Sequence, residues 1–220
     1  MTGLLLEWVK ALGFYRLIFI FTQLVILVWC GPNLAMPHSD SLDYLLLQTI
    51  LRWIPDSFGP PFAMIYQLSG TKFTGVLVIS LLFYFIFRRF WADFICLFFG
   101  TGGILVIIDY LLKPWFDRPR PDNSSLLLSG ASFPSGHAAG SMVFYFMSCT
   151  LLVTHYPRLR LPLFALSSLW VSLVWLSTLY CRAHWPSDIL VGGSVGFVWL
   201  SMCIAGLRVW ERHNRLPSTQ

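Results

Sequence analysis

Long apolar runs, separated by short polar breaks, dominate this chain. A helix needs about 20 mostly apolar residues to cross a hydrocarbon core. Six stretches approach that length, at 14–30, 73–87, 91–112, 137–154, 161–181 and 187–208. The second is the shortest, and its upstream limit is the least sharply marked. Between the first two runs lies 31–72. Its SLDYLLLQTILRWI stretch is apolar but broken by Asp43, Gln48 and Arg52. That pattern predicts a helix lying at the interface or docked on the bundle. The expected fold is an all-α polytopic membrane bundle of about six spans. It forms one domain over residues 1–220, with a frayed polar tail from about Glu211.

Composition sharpens this picture. Residues from the AVILMFWYC set make up 56% and charged residues only 11%, against about 25% charged in an ordinary soluble chain. Mean hydropathy is +0.68. So few charges cannot cover the outside of a water-soluble fold, and disorder is excluded for the same reason. The net charge of +5 would suggest nucleic acid in a soluble protein. Here the cations flank apolar runs, which is the signature of membrane topology, and no nucleic-acid partner is expected. The five cysteines form no disulfide or zinc spacing. No small-x-small cleavage site follows Cys30-Gly31, so the first run is expected to be retained rather than removed as a signal peptide.

Placing the N-terminus inside puts nine cations on the cytoplasmic side: Lys10, Arg16, Arg88, Arg89, Arg158, Arg160, Arg208, Arg212 and Arg215. Six remain outside: Arg52, Lys72, Lys113, Arg118, Arg120 and Arg182. The bias follows the positive-inside rule. Four of the outer six fall in two loops, and a bound anion is the simplest reason for them. The expected location is a bacterial inner membrane, with both termini cytoplasmic.

Three short segments hold nearly all the unusual polar residues: KPWFDRPRP (113–121), SFPSGHA (132–138) and RAHWPSD (182–188). In the six-span layout all three reach the same, outer membrane face. Each has an ordinary reading when taken alone. The cations could anchor headgroups, Pro134-Ser135-Gly136 could be a helix-starting turn, and Asp188 could complement a helix dipole. Two histidines, a carboxylate and several cations converging on one face point instead to phosphoryl transfer. Lys113, Arg120 and Arg182 could hold nonbridging oxygens. Ser135 and Gly136 at a helix N-terminus could offer backbone amides. One histidine could attack phosphorus while the other protonates the leaving oxygen. His184 and Asp188, four apart, would share a helix face, so the carboxylate could fix the imidazole tautomer. No carboxylate cluster suggests a metal, and no cofactor is expected.

These segments resemble the motifs of the type 2 phosphatidic acid phosphatase family. Its first motif, Lys, six residues, then Arg-Pro, matches Lys113 to Arg120-Pro121. Its second, Pro-Ser-Gly-His, matches 134–137. Its third, Ser-Arg, five residues, His, three residues, Asp, matches at Ser177, His184 and Asp188. The matched stretch covers about a third of the chain, and the six-span layout extends the likeness. The resemblance implies a metal-independent hydrolase of lipid phosphates or diphosphates. His184 would be the nucleophile, Asp188 its orienting partner and His137 the general acid. Lys113, Arg120, Ser135 and Gly136 would hold the phosphate. The implied substrates are undecaprenyl diphosphate, phosphatidic acid, phosphatidylglycerol phosphate and lipid A phosphates.

One position departs from that pattern. Thr178 stands where the family has Arg. Arg182, one turn nearer His184, is the expected substitute, with Arg118 as the alternative. Three rival readings accompany the main one: a lipid-to-lipid phosphotransferase, a non-catalytic lipid-binding or transport protein, and a vanadate-dependent haloperoxidase. The membrane composition speaks against the last. Asp109 is expected to pair with Lys113, and Gly192-x-x-x-Gly196 to permit close helix packing.

Overall fold

The computed structural model describes Lys10, Leu12, Gly13, residues 17–23, Val25, residues 41–122, Ser124 and residues 128–215. About half of the expected first span, 14–30, lies outside these residues. Within it, 17–23 and Val25 are helical, and Phe19 meets Phe197 edge to face at 4.7 Å.

The described chain is all-α. Ser41 caps α1 (Leu42–Trp53) by accepting from the Tyr44 amide, a standard helix start. A single turn at Asp56–Phe58 leads into α2 (Gly59–Leu68), whose early Pro60 and Pro61 need no intrahelical donor. Next come α3 (Thr71–Phe87) and α4 (Trp91–Leu105). A widened π-helical stretch (Val106–Leu112) and α5 (Lys113–Phe116) continue α4 as one rod. Then follow α6 (Gly136–His155), α7 (Arg160–Tyr180) and α8 (Pro186–Arg215).

Among the described residues, four helical stretches are long and apolar enough to cross a membrane: Trp91–Phe116, Gly136–His155, Pro157–Tyr180 and Pro186–Asn214. A fifth is formed if Asp56–Leu68 and Thr71–Phe87, which bend by 50° at their junction, count as one broken span. The shortness of the 73–87 run is explained by that bend. Only 17% of the apolar window of Pro157–Tyr180 is buried among the described residues, which leaves most of it available to lipid.

Helices α6 and α8 form the centre, wrapped by α3, α4 and α7. Phe85, Leu97, Ile104, Val143, Met147, Leu151, Leu200 and Ile204 share one buried cluster. In lipid, helices are not driven together by apolar area alone, so small residues at the contacts matter. A Cβ on Gly192 would meet the Ser135 carbonyl oxygen at 2.4 Å, and one on Gly196 would meet that of Ala139 at 2.7 Å. The GxxxG pair therefore lets α8 lie directly on the start of α6.

The C-terminal helix continues to Arg215, past the expected fraying point at Glu211. Val209 is buried beside Ala205 and packs with Leu12, which gives the polar end something to hold. Helix α1 is docked rather than free, with Leu47 packed against Ala138, Leu179, Trp185 and Ile189. At the far end of the bundle, His155 Nε2 lies 2.8 Å from Asp93 Oδ2 and its ring stacks on Phe90.

Candidate active site

Because α4 and α7 run one way and α6 and α8 the other, the three polar segments meet at one end of the bundle. The first begins at a distortion. Pro114 has no N–H to return to Tyr110 and its ring crowds that carbonyl. The helix widens just before it, and Lys113 N–H reaches back to Ile108 instead. Lys113 Nζ is held 2.6 Å from Asp109 Oδ1, and a Cβ on Gly136 would sit 3.8 Å from that Nζ.

The alternating arginines of 117–121 do different things. Arg120 donates from Nη1 to the Ala183 carbonyl (2.7 Å), from Nε to Gly130 (3.1 Å) and from Nη2 to Ala131 (3.3 Å). Arg118 is buried beneath it and bridges two carboxylates. Its Nη1 donates to Asp188 Oδ1 at 2.6 Å, and its Nη2 to Asp43 Oδ2 at 2.7 Å. The Pro119 carbonyl between them accepts from Ser132 Oγ (2.9 Å) and Trp185 Nε1 (3.0 Å), tying all three segments together.

Ser135 caps α6 and is fully buried. Its Oγ accepts from the Ala138 amide, and its own N–H donates to the Asp188 carbonyl at 3.0 Å. The Ser135 amide is thus used inside the protein, while its hydroxyl, here an acceptor, still has a proton to donate. Helix geometry leaves the Gly136 and His137 amides without intrahelical acceptors, so the anion-binding capacity of this helix start rests on them.

His184 is buried, with Nδ1 2.8 Å from the Ser132 carbonyl oxygen. A carbonyl can only accept, so Nδ1 carries the proton and Nε2 keeps the lone pair. Asp188 Oδ2 stands farther from Nδ1, at 3.5 Å, and accepts instead from the Trp185 amide at 2.9 Å. Nδ1 is therefore nearer the Ser132 carbonyl than Asp188, and Asp188 acts on the ring by a longer hydrogen bond as well as by charge. Burial pushes the His184 pKa below the usual histidine value. The Asp188 carboxylate opposes that shift, and the Arg120 and Lys113 charges add to it.

One cavity of about 410 Å³ gathers Lys113, Arg120, Gly136, His137 and His184. The two imidazole centroids are 6.3 Å apart. His137 stacks on Tyr66 at 4.5 Å, and its Nε2 is buried without a hydrogen-bond partner. From this polar end the lining continues along Val78, Ile79 and Leu82 of α3 and Phe98 and Leu105 of α4. Ser135 and Arg182 do not line it. Arg182 sits in the turn that ends α7, at φ +52°. The Ala183 amide bonds Thr178 O and the Arg182 amide bonds Leu179 O, the bonding of a Schellman turn whose left-handed residue is Arg182. Thr178 is fully buried, and its hydroxyl donates to Trp175 O. Among the described residues, no three His, Cys, Asp or Glu side chains are placed to hold a metal ion.

Asp43 and Tyr66 were not singled out as site residues from sequence. The only signal for Asp43 was a charge inside an apolar stretch. Tyr66 carried none, nor did the Ser132 carbonyl, since a backbone acceptor leaves no trace in residue type.

Residues 94–212, more than half of the chain, match the family model of the PAP2 superfamily. The chain belongs to that superfamily. Phosphatidylglycerophosphatase B of Bacillus subtilis (strain 168) is 33% identical over 119 residues, which cover 52% of this chain and 57% of that protein. The match thus spans little more than half of the relative's length. The crystal structure of a transmembrane PAP2-type phosphatidylglycerolphosphate phosphatase from Bacillus subtilis aligns with a TM-score of 0.75 at 20% identity. It covers 91% of this chain and 98% of that one. At that identity the likeness is one of fold. The PAP2 match includes all three polar segments, whereas Asp43 and Tyr66 lie upstream of it.

Proposed function

We propose that this PAP2 protein hydrolyses a phosphate ester on a membrane lipid through a phosphohistidine on His184. One observation carries the reading. A buried imidazole whose Nε2 keeps its lone pair shares a cavity with a second histidine, two cations and an apolar channel toward α3 and α4. Nε2 of His184 attacks phosphorus, and the bond to the lipid oxygen breaks. His137 gives that oxygen its proton, then takes one from the water that cleaves the phosphohistidine. Lys113, Arg120 and the Gly136 amide hold the nonbridging oxygens. Asp188 offsets the positive charge gained by the ring, and no metal takes part. The lipid tail lies along Val78, Ile79, Leu82 and Phe98.

We further infer six spans, counting 14–30 and the bent pair as one each. The site would lie on the outer face of a bacterial inner membrane, with both termini inside. The excess of cations at the opposite end supports that orientation. An impermeant thiol label on Trp115→Cys tests it, since Trp115 is 83% exposed at the site end.

The named relatives make phosphatidylglycerol phosphate the first substrate to try, followed by phosphatidic acid, undecaprenyl diphosphate and lipid A phosphates. Phosphate release would be measured in detergent with a chelator, on the parent protein and on His184→Ala. Release that survives the chelator and disappears in the variant is expected. Release that persists in His184→Ala overturns the phosphohistidine reading. Phosphate appearing on an added lipid acceptor instead of in solution makes the protein a phosphotransferase.

A further inference from the structure

The cluster formed by Asp43, Arg118 and Asp188 joins an element outside the family match to the reacting histidine. Asp43 is in the first turn of α1, and its Oδ1 accepts from the Ser187 amide at 2.9 Å. Its Oδ2 accepts from Arg118 Nη2 and from Ser187 Oγ. Arg118 is 2% exposed and Asp188 0%. All three groups sit away from water, where charge balance is weakly screened.

Arg118 with Asp188 alone would be a neutral pair, and His184 would face no net negative charge. Asp43 adds a second carboxylate to the same guanidinium. The buried group is then net negative by one, and its Asp188 Oδ2 lies 3.5 Å from Nδ1 of the ring that becomes cationic. The other charged groups near the ring, Lys113 and Arg120, are positive, and Lys113 is already paired with Asp109. His137 faces His184 from α6.

We infer that Asp43 is a positioning residue which occupies one side of Arg118, so that Asp188 keeps uncompensated negative charge for His184. This rests on the reading of His184 as the phosphoryl acceptor. The sequence stretch 41–54 thereby gains a purpose beyond packing: α1 carries a carboxylate to the site.

The test compares Asp43→Asn, Arg118→Gln and the double variant in detergent. Asp43→Asn keeps the shape and an acceptor for Ser187. It is expected to lower kcat by about 10- to 100-fold, by analogy with carboxylates that support metal-bound histidines, with little change in KM. Its acid limb in kcat/KM should move to lower pH, because a negative charge near His184 is lost. Arg118→Gln should move that limb to higher pH, because a positive charge is lost. The double variant should bring it back toward the parent. A merely structural role would lower activity without opposed shifts, and equal limbs in all three overturn the inference. If Asp43→Asn does not elute as a folded species, Arg118→Gln alone decides, and a limb unmoved or moved down overturns it. Trapping of acid-labile phosphoenzyme on the parent and on His184→Ala keeps this outcome separate. Loss of that intermediate on both would sink the phosphohistidine reading itself.

Discussion

His184 Nδ1 lies 2.8 Å from the carbonyl oxygen of Ser132. This contact joins the second polar segment to the third and settles which imidazole nitrogen is protonated. Asp188 stands farther from the same nitrogen, with its Oδ1 on Arg118 and its Oδ2 on the Trp185 amide. A backbone acceptor cannot be titrated away, so the tautomer should persist wherever His184 is neutral.

That arrangement fixes a pH dependence. The proposed nucleophile must be neutral to attack, and burial holds the His184 pKa below the ordinary value of about 6.5. Activity should therefore survive as pH falls through 6.5 and decline only when the lowered, folded-state pKa is reached. A kcat/KM profile measured in detergent should show its acid limb below about pH 6.5. A limb at or above that value would contradict a buried, neutral His184.

Arg120 and Arg182 should behave in opposite ways. Arg120 lines the cavity, and Arg120→Ala should lower kcat by about 100- to 1,000-fold, the usual loss for one preorganised donor to developing charge. Arg182 holds a left-handed turn position at φ +52° that glycine adopts without strain. Arg182→Gly should keep activity within a few-fold and leave the thermal midpoint unchanged or raised. A large kcat loss in Arg182→Gly would show that its guanidinium replaces the Arg missing at Thr178.

The contact of Tyr66 with His137 can be divided by two substitutions. The rings stack at 4.5 Å, worth about 0.5–1.5 kcal/mol for aromatic pairs. Tyr66→Ala should slow turnover by about 2- to 10-fold on that scale, while Tyr66→Phe keeps the stack and most of the rate. Equal losses in both would assign the effect to the hydroxyl instead.

Close packing of α8 on α6 predicts a stability contrast. A Cβ at Gly192 would lie 2.4 Å from Ser135 O, whereas one at Gly102 would meet nothing within 4 Å. Gly192→Ala should cost about 1–3 kcal/mol, as overpacked sites do, and shift the Ser135–Asp188 junction with it. Gly102→Ala should be neutral or stabilising by up to about 1 kcal/mol, the helix-propensity difference. Thermal unfolding in detergent measures both.

Much of this was legible because lipid imposes simple rules. Apolar run lengths mark helices, and helix ends mark where polar segments can gather, so 113–121, 132–138 and 182–188 could be brought to one end from sequence. The pairing of Asp109 with Lys113 and the packing role of Gly192 and Gly196 follow from helical spacing alone. The bend between α2 and α3 was not legible, because a short apolar run does not say whether the next helix continues it. The ordered end of α8 was missed for a related reason: polar composition at 211–215 hides the burial of Val209 just before it.

What the sequence determined by itself is the solvent, the all-α bundle and the short polar segments that gather at one end of it. Local composition and spacing decide these. What the tertiary structure decided is the division of labour among like residues. Arg118 goes under the site, held by Asp43 and Asp188, and Arg120 goes into it, held by the Gly130, Ala131 and Ala183 carbonyls, though only one residue separates them. The Ser135 amide is turned to the Asp188 carbonyl rather than left open at the helix start. Asp43, 145 positions from Asp188 in the chain, shares its arginine only because α1 docks on α8. Contacts between distant segments depend on packing in three dimensions, and no local pattern of residues encodes them.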